Sequence, residues 1–186
     1  MSELSLIRSR LRNLINDYSK EGNDVFIYGS SDKFSLSENN VSDITDIVIN
    51  DGDPIDSGDY EFDGDTEKVS LSVSGISTGD VIEMNYTYTK YSDTELNGYI
   101  RSALVHLSTN NFYTFDEEEE EIYPEPDDRE LDLIAMITSV LIQGTTSQIR
   151  LPDMVLQFNE KLSVSNKIKK IIATFKKDNT GRFFIA

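Results

Sequence analysis

The 186-residue chain has no cysteine, no tryptophan and one histidine, His106. Disulfides, thiolate metal sites and cysteine nucleophiles are thereby excluded, and a single imidazole cannot build a histidine-rich metal centre. Basic residues are also scarce: 17 Lys and Arg stand against 34 Asp and Glu, a formal charge of −17. A surface so negative argues against wrapping nucleic acid or coating an anionic membrane. The longest apolar stretch, Leu131 to Ile142, includes polar members and is too short to span a bilayer. The opening MSELSLIRSRLRNLINDYSK has no apolar run of signal-peptide form. These absences lead us to expect a soluble protein made in a cytoplasm. Also missing are a glycine-rich phosphate loop with a following lysine, a dinucleotide fingerprint, a histidine pair at helical spacing and a nucleophile elbow. No catalytic residue, cofactor or metal is assigned.

What the chain does have is enough apolar material for a packed core: 38% hydrophobic residues, with nine Phe and nine Tyr. Charge divides it into an acidic body and a basic end. Residues 1–23 hold 4 basic and 3 acidic side chains, 24–92 hold 3 and 15, 93–149 hold 2 and 13, and 150–186 hold 8 and 3. Such polarity suits an oriented assembly part better than a free small-molecule enzyme.

Leu4, Ile7, Leu11, Leu14, Ile15 and Tyr18 recur at spacings of three and four, with Arg8, Arg12 and Asn16 opposite, which predicts an amphipathic helix ended near Gly22-Asn23-Asp24. Short alternating runs follow at Val25–Tyr28, Lys33–Leu36, Ile44–Ile49, Tyr60–Phe62, Val69–Val73 and Val81–Tyr88. They read as strands joined by turns rich in Asp, Asn and Gly, a small antiparallel sandwich or barrel. At Ser92-Asp93-Thr94-Glu95 the pattern becomes a capping box, opening a helix over about 93–108 with Leu96, Tyr99, Ile100, Ala103, Leu104 and Leu107 inward. Asp127-Asp128-Arg129-Glu130 repeats the cap before Leu131–Ile142, a helix apolar nearly all round, hence central or at a subunit interface. Ser165 could cap a last helix with Ile168, Ile171, Ile172 and Phe175 inward, leaving Lys167, Lys169, Lys170, Lys176 and Lys177 to solvent or a partner. The fold class is α+β: a helical unit, 1–23 and 91–186, with a small antiparallel β-domain, 24–90, inserted after the first helix.

Few residues point to chemistry. His106 sits in a helix between Val105 and Leu107, where a packed imidazole is the plainer reading than a base. Asp51, Asp53, Asp56, Asp63 and Asp65 offer oxygen ligands for Ca²⁺, but they lack the order of a calcium-binding helix loop, and hairpin turns use such residues anyway. Tyr86 and Tyr88 alternate onto one sheet face, as core packing or as a sugar-stacking platform. Asp116 and Glu117, Glu118, Glu119, Glu120 and Glu121 form a run of acids read either as a solvated loop or, repeated around a ring, as the lining of a lumen through which DNA slides. The tail Gly181-Arg182-Phe183-Phe184-Ile185-Ala186 is apolar after a basic helix and should pair as a strand or dock on a neighbour.

Leu11-Arg12-Asn13-Leu14-Ile15-Asn16-Asp17 in a short first helix, then Tyr91-Ser92-Asp93-Thr94-Glu95-Leu96 opening a helix that continues Tyr99-Ile100-Arg101-Ser102-Ala103-Leu104, together resemble the head-tail connector (adaptor) proteins of tailed bacteriophages. Asp59–Asp63 and Gly79–Tyr88 are similar to β-domains common in phage virion proteins. The resemblance implies no reaction. It implies a ring, of twelve subunits, beneath the portal protein in the virion neck, assembled in the host cytoplasm and meeting the next neck or tail-completion protein. DNA would pass through without specific binding, and no membrane is involved. On this reading Lys169, Lys170, Lys176, Lys177, Arg182, Phe183, Phe184 and Ile185 form the contact with a neighbour or the portal. The rivals are a module binding a glycan or host surface through its β-domain, with or without Ca²⁺, and an acid-based hydrolase.

Overall fold

The computed structural model describes residues 2–110, 114–118, 121–151, 155–159 and 161–178, without the side chains at 117, 118, 177 and 178. It is a mixed α+β fold of two units, one made of 1–17 and 93–186, the other of 18–92.

The second unit holds β1 (Lys20–Ile27), β2 (Lys33–Ser35), β3 (Val41–Ile49), β4 (Tyr60–Asp63), β5 (Lys68–Leu71) and β6 (Val81–Tyr88). They form two antiparallel three-stranded sheets, ordered β1-β6-β3 and β2-β5-β4. Phe34, Val69 and Leu71 from one sheet and Ile44, Ile47, Ile82, Met84 and Tyr86 from the other share a single buried core. Phe26 and Phe34 carry the contact between the sheets, ring centroids 5.1 Å apart. Period-2 alternation holds in β1, β5 and β6, whereas β3 buries Val41, Ile44 and Ile47 at a spacing of three because its register against β6 shifts between them.

Two details depart from the sequence pattern. The first helix, α1 (Glu3–Ile15), stops before Tyr18 because Asn16 takes the left-handed conformation at φ 55°, ending the helix. Tyr18 is then 54% exposed rather than part of the buried stripe. Gly22-Asn23-Asp24 lies inside β1 instead of marking a stop. Gly22 is needed there for space: a Cβ would stand 2.4 Å from Cε2 of Tyr86. Elsewhere, turns do take positive φ where expected, at Asn50, Asp51 and Gly79.

In the first unit, α1 is joined by α2 (Asp93–Thr109), α3 (Asp128–Ile142) and α4 (Val164–Asp178). Between them lie two small antiparallel hairpins, β7 (Asp116–Glu118) with β8 (Glu121–Tyr123), and β9 (Gln148–Arg150) with β10 (Val155–Gln157). Helix α3 is the hub. Leu131, Leu133, Ile134, Ala135, Met136, Ile137 and Val140 are all buried, and α1, α2 and α4 pack around it. Its apolar circumference is consumed within its own unit, so centrality, and not a subunit interface, accounts for it. Tyr99, read into the stripe of α2, is 37% exposed, whereas Leu96, Ile100, Ala103, Leu104 and Leu107 are buried. Helix α4 begins two residues earlier than a Ser165 cap would place it: Ser163 Oγ accepts from the Asn166 N–H at 3.4 Å.

The start of α3 is fixed by a reciprocal cap. Asp127 Oδ1 accepts from the Glu130 N–H at 2.8 Å, and Glu130 Oε2 accepts from the Asp127 N–H at 2.9 Å. Burial pushes the Glu130 carboxyl above its ordinary value of 4.5, against the lowering effect of the Asp127 amide. The folded chain therefore holds this proton more tightly than the unfolded one, and its contribution is full below pH 4.5 and lost as pH rises through the raised pKa. Glu130→Gln keeps a cap and removes the charge, so urea unfolding should show it gaining on the parent as pH goes from 4 to 7. Asp127→Ala should cost about 1 kcal/mol.

Candidate interaction surfaces

The arginines of α1 face other helices, not solvent. Arg10 bridges two aspartates one turn apart on α3, meeting Asp128 at 2.7 Å and Asp132 at 2.6 Å. Burial alone would lower the Arg10 pKa, but these hydrogen bonds and charges outweigh it and raise it. Arg12 pairs with the buried Asp17 and reaches Asp93 at 2.8 Å. Arg8 also holds Asp93, at 3.3 Å, and donates to Asn97 at 2.9 Å. Asp93 opens α2, where a carboxylate also complements the helix dipole. A cleft of about 580 Å³ beside Arg10 is lined further by Asn13, Arg129 and Arg150, and its acids Asp128 and Asp132 are the ones already engaged by Arg10. The sequence showed the positions of these arginines but not their partners, which, Asp17 apart, lie more than eighty residues away.

The lysines of α4 divide sharply. Lys167, expected to project outward, is buried instead, and its ammonium donates to the carbonyls of Gly144 at 2.6 Å and Thr146 at 2.7 Å. It sits one position before Ile168 on the inward face, so its stem joins the core and its head ties α4 to the loop after α3. Lys169 is exposed. Lys170 is exposed and donates to the Gln157 carbonyl at 2.7 Å, with its ammonium 5.7 Å from the Phe158 ring centroid. Lys176, also exposed, donates to the Asn110 carbonyl at 3.2 Å. Carbonyls orient an ammonium without cancelling its charge, and no ion pair among the described residues involves Lys169 or Lys170. The Lys177 side chain, Arg182, Phe183, Phe184 and Ile185 lie outside the described residues.

The acidic run is not a plain loop. Asp116–Glu118 and Glu121–Tyr123 pair antiparallel, with Asp116 opposite Tyr123 and Glu118 opposite Glu121. Ile122 is the anchor, 1% exposed, so the hairpin is pinned from below while Asp116 and Glu121 stay at the surface. Alternation with one buried apolar residue is what a six-acid count conceals. Glu119 and Glu120 lie outside the described residues.

The other candidate positions serve the fold. Tyr86 is 1% exposed and Tyr88 packs against the same core, so neither ring forms an open platform for a sugar. The Tyr86 hydroxyl donates to Asp24 at 3.1 Å. Asp63 accepts from the Asp65 N–H and the Thr66 hydroxyl, which hold its carboxyl below the usual range. Asp80, held low by the Asn50 side chain and the Ser77 N–H, does the same for its turn. Among the described residues no group of three His, Asp or Glu side chains is placed to hold a metal ion. His106 is half-buried on α2. No described helix is long and apolar enough to cross a membrane.

No protein-family model matches the chain, and no curated protein is significantly similar to it. The likeness to phage connectors rests on the quoted residues alone.

Lys167 offers a direct check on how α4 is held. Lys167→Met keeps the stem and leaves two carbonyls without their donor, so chemical denaturation should show a loss of about 2 kcal/mol. Lys169→Met, at the surface, should change stability by less than about 0.5 kcal/mol.

Proposed function

We propose that the chain is a structural subunit of a tailed-bacteriophage neck, a head-tail connector whose copies form a ring beneath the portal, extend the DNA channel and join head to tail. The observation that carries this reading is the basic surface of α4, where Lys169 and Lys170 have no ion-pair partner among the described residues, on a chain of net charge −17. One copy thus offers a positive surface and a far larger negative one, which favours head-to-tail contact between copies over contact of like with like. The acidic hairpin β7–β8 supports the same reading, since a carboxylate-lined channel repels DNA and lets it slide. The ring of twelve, the portal and the next neck protein as partners, and the virion as location come with the resemblance.

Light scattering on the purified protein, alone and mixed with a candidate portal complex, tests this. A closed ring should form, alone or on the portal, and weaken between low and moderate salt as screening grows. Lys169→Glu with Lys170→Glu and Lys176→Glu should abolish it while leaving a folded monomer. A 21.1 kDa monomer indifferent to any portal at both salt concentrations would overturn the reading.

A further inference from the structure

Strand β1 is an open edge. In the order β1-β6-β3 it pairs on one side only, and among the described residues nothing covers the other. The Tyr28 N–H donates to the Asp80 carbonyl, just past the paired strands, which continues the ladder in which the even-numbered residues of β1 bond to β6. The amides and carbonyls of Glu21, Asn23, Val25 and Ile27 therefore point to the open side. The same residues carry the outward-facing side chains, and two are large and apolar: Val25 is 60% exposed and Ile27 75%. Val81, opposite Ile27, adds 43% exposure. Exposed edges are ordinarily blunted by charge, proline or a covering segment. Here the stretch Val25-Phe26-Ile27-Tyr28 has no charge and no proline.

We propose that this edge receives residues 181–186 of a second copy as an added strand. Gly181-Arg182-Phe183-Phe184-Ile185-Ala186 has what the edge lacks a partner for: an uninterrupted run of apolar side chains and positive charge. Extended, six residues cover about 20 Å, most of the length of β1. Phe183 and Ile185 fall on one side of such a strand and Phe184 on the other, so either alternation sets a ring or an aliphatic chain beside Val25 and Ile27. Charge selects this occupant over β1 of another copy. Residues 18–92 hold 4 basic and 16 acidic side chains, so pairing two such units edge to edge brings like charges together, whereas a segment bearing Arg182 and preceded by Lys176 and Lys177 brings opposite ones. The contact is heterologous, tail of one copy to edge of the next, the kind that closes rings, and to that extent it rests on the ring reading above.

The absence of cysteine lets single cysteines report without background. Full-length Ile27→Cys chains are mixed with chains carrying Phe183→Cys, Phe184→Cys or Ile185→Cys and oxidised. At least one mixture should give a mixed product of about twice 21.1 kDa. Val25→Pro, which removes an outward amide and spares the bonds to β6, should abolish that product with the thermal transition retained. The proposal is overturned by equal dimer from Ile27→Cys chains alone, by no mixed product in any mixture, or, for a chain carrying both Ile27→Cys and Ile185→Cys, by cross-linking found only within the chain. Mixed product in a sample that scatters as open dimers would keep the strand addition and sink the ring. Rings assembled by Val25→Pro chains would keep the ring and sink the strand addition.

Discussion

Burying α3 is the constraint that the helical unit is built to meet. A helix apolar on nearly every side cannot lie at a surface, so three other helices must close around it, and each brings its own matching stripe. The stripe of α1 is locked in place by Arg10, which holds Asp128 and Asp132 on the first turns of α3. The stripe of α4 is locked by Lys167, whose ammonium reaches the carbonyls of the loop that leaves α3. The capping box at Asp127 and Glu130 fixes where the hub begins. These polar contacts act at the ends of apolar surfaces, where they set register and direction while burial supplies the larger driving force.

That use of α3 bears directly on assembly. A helix already enclosed by its own unit is not available to a neighbour, so the proposed contact between copies falls to surfaces that folding leaves unmatched. Two kinds are present: the ammonium of Lys170, which meets a carbonyl and no ion-pair partner among the described residues, and an open edge strand whose end carries exposed Val25 and Ile27. In the β-unit, several of the acidic side chains in turns serve the fold, as Asp63 and Asp80 do by accepting from nearby donors. Together with the other acids they give the unit a strong negative field.

The fold was largely legible because its elements follow simple periods. Six alternating runs became six strands, and the capped pattern at Asp127 became α3, since both signals are local. What escaped reading depended on partners distant in sequence. Gly22 looks like a helix stop but makes room for the Tyr86 ring across the sheet. Lys167 looks like one of five solvated lysines but closes a turn more than twenty residues back. Asp116–Glu121 looks like a repelling loop, yet Ile122, just beyond the acids, folds it into a hairpin. Of the proposed contact surface, Lys169, Lys170 and Lys176 are visible in the sequence as charge, whereas the open edge of β1 requires strand order, which alternation does not give.

The chain completes its own core, and the proposed assembly is left to charge and strand edge. Hydrogen exchange of the dilute protein, followed amide by amide along α3, tests it most directly. Residues 131–140 should be among the slowest to exchange in the free monomer, with protection unchanged by assembly. Fast exchange along α3 in the monomer, slowed only when copies associate, would contradict the account and make α3 the interface.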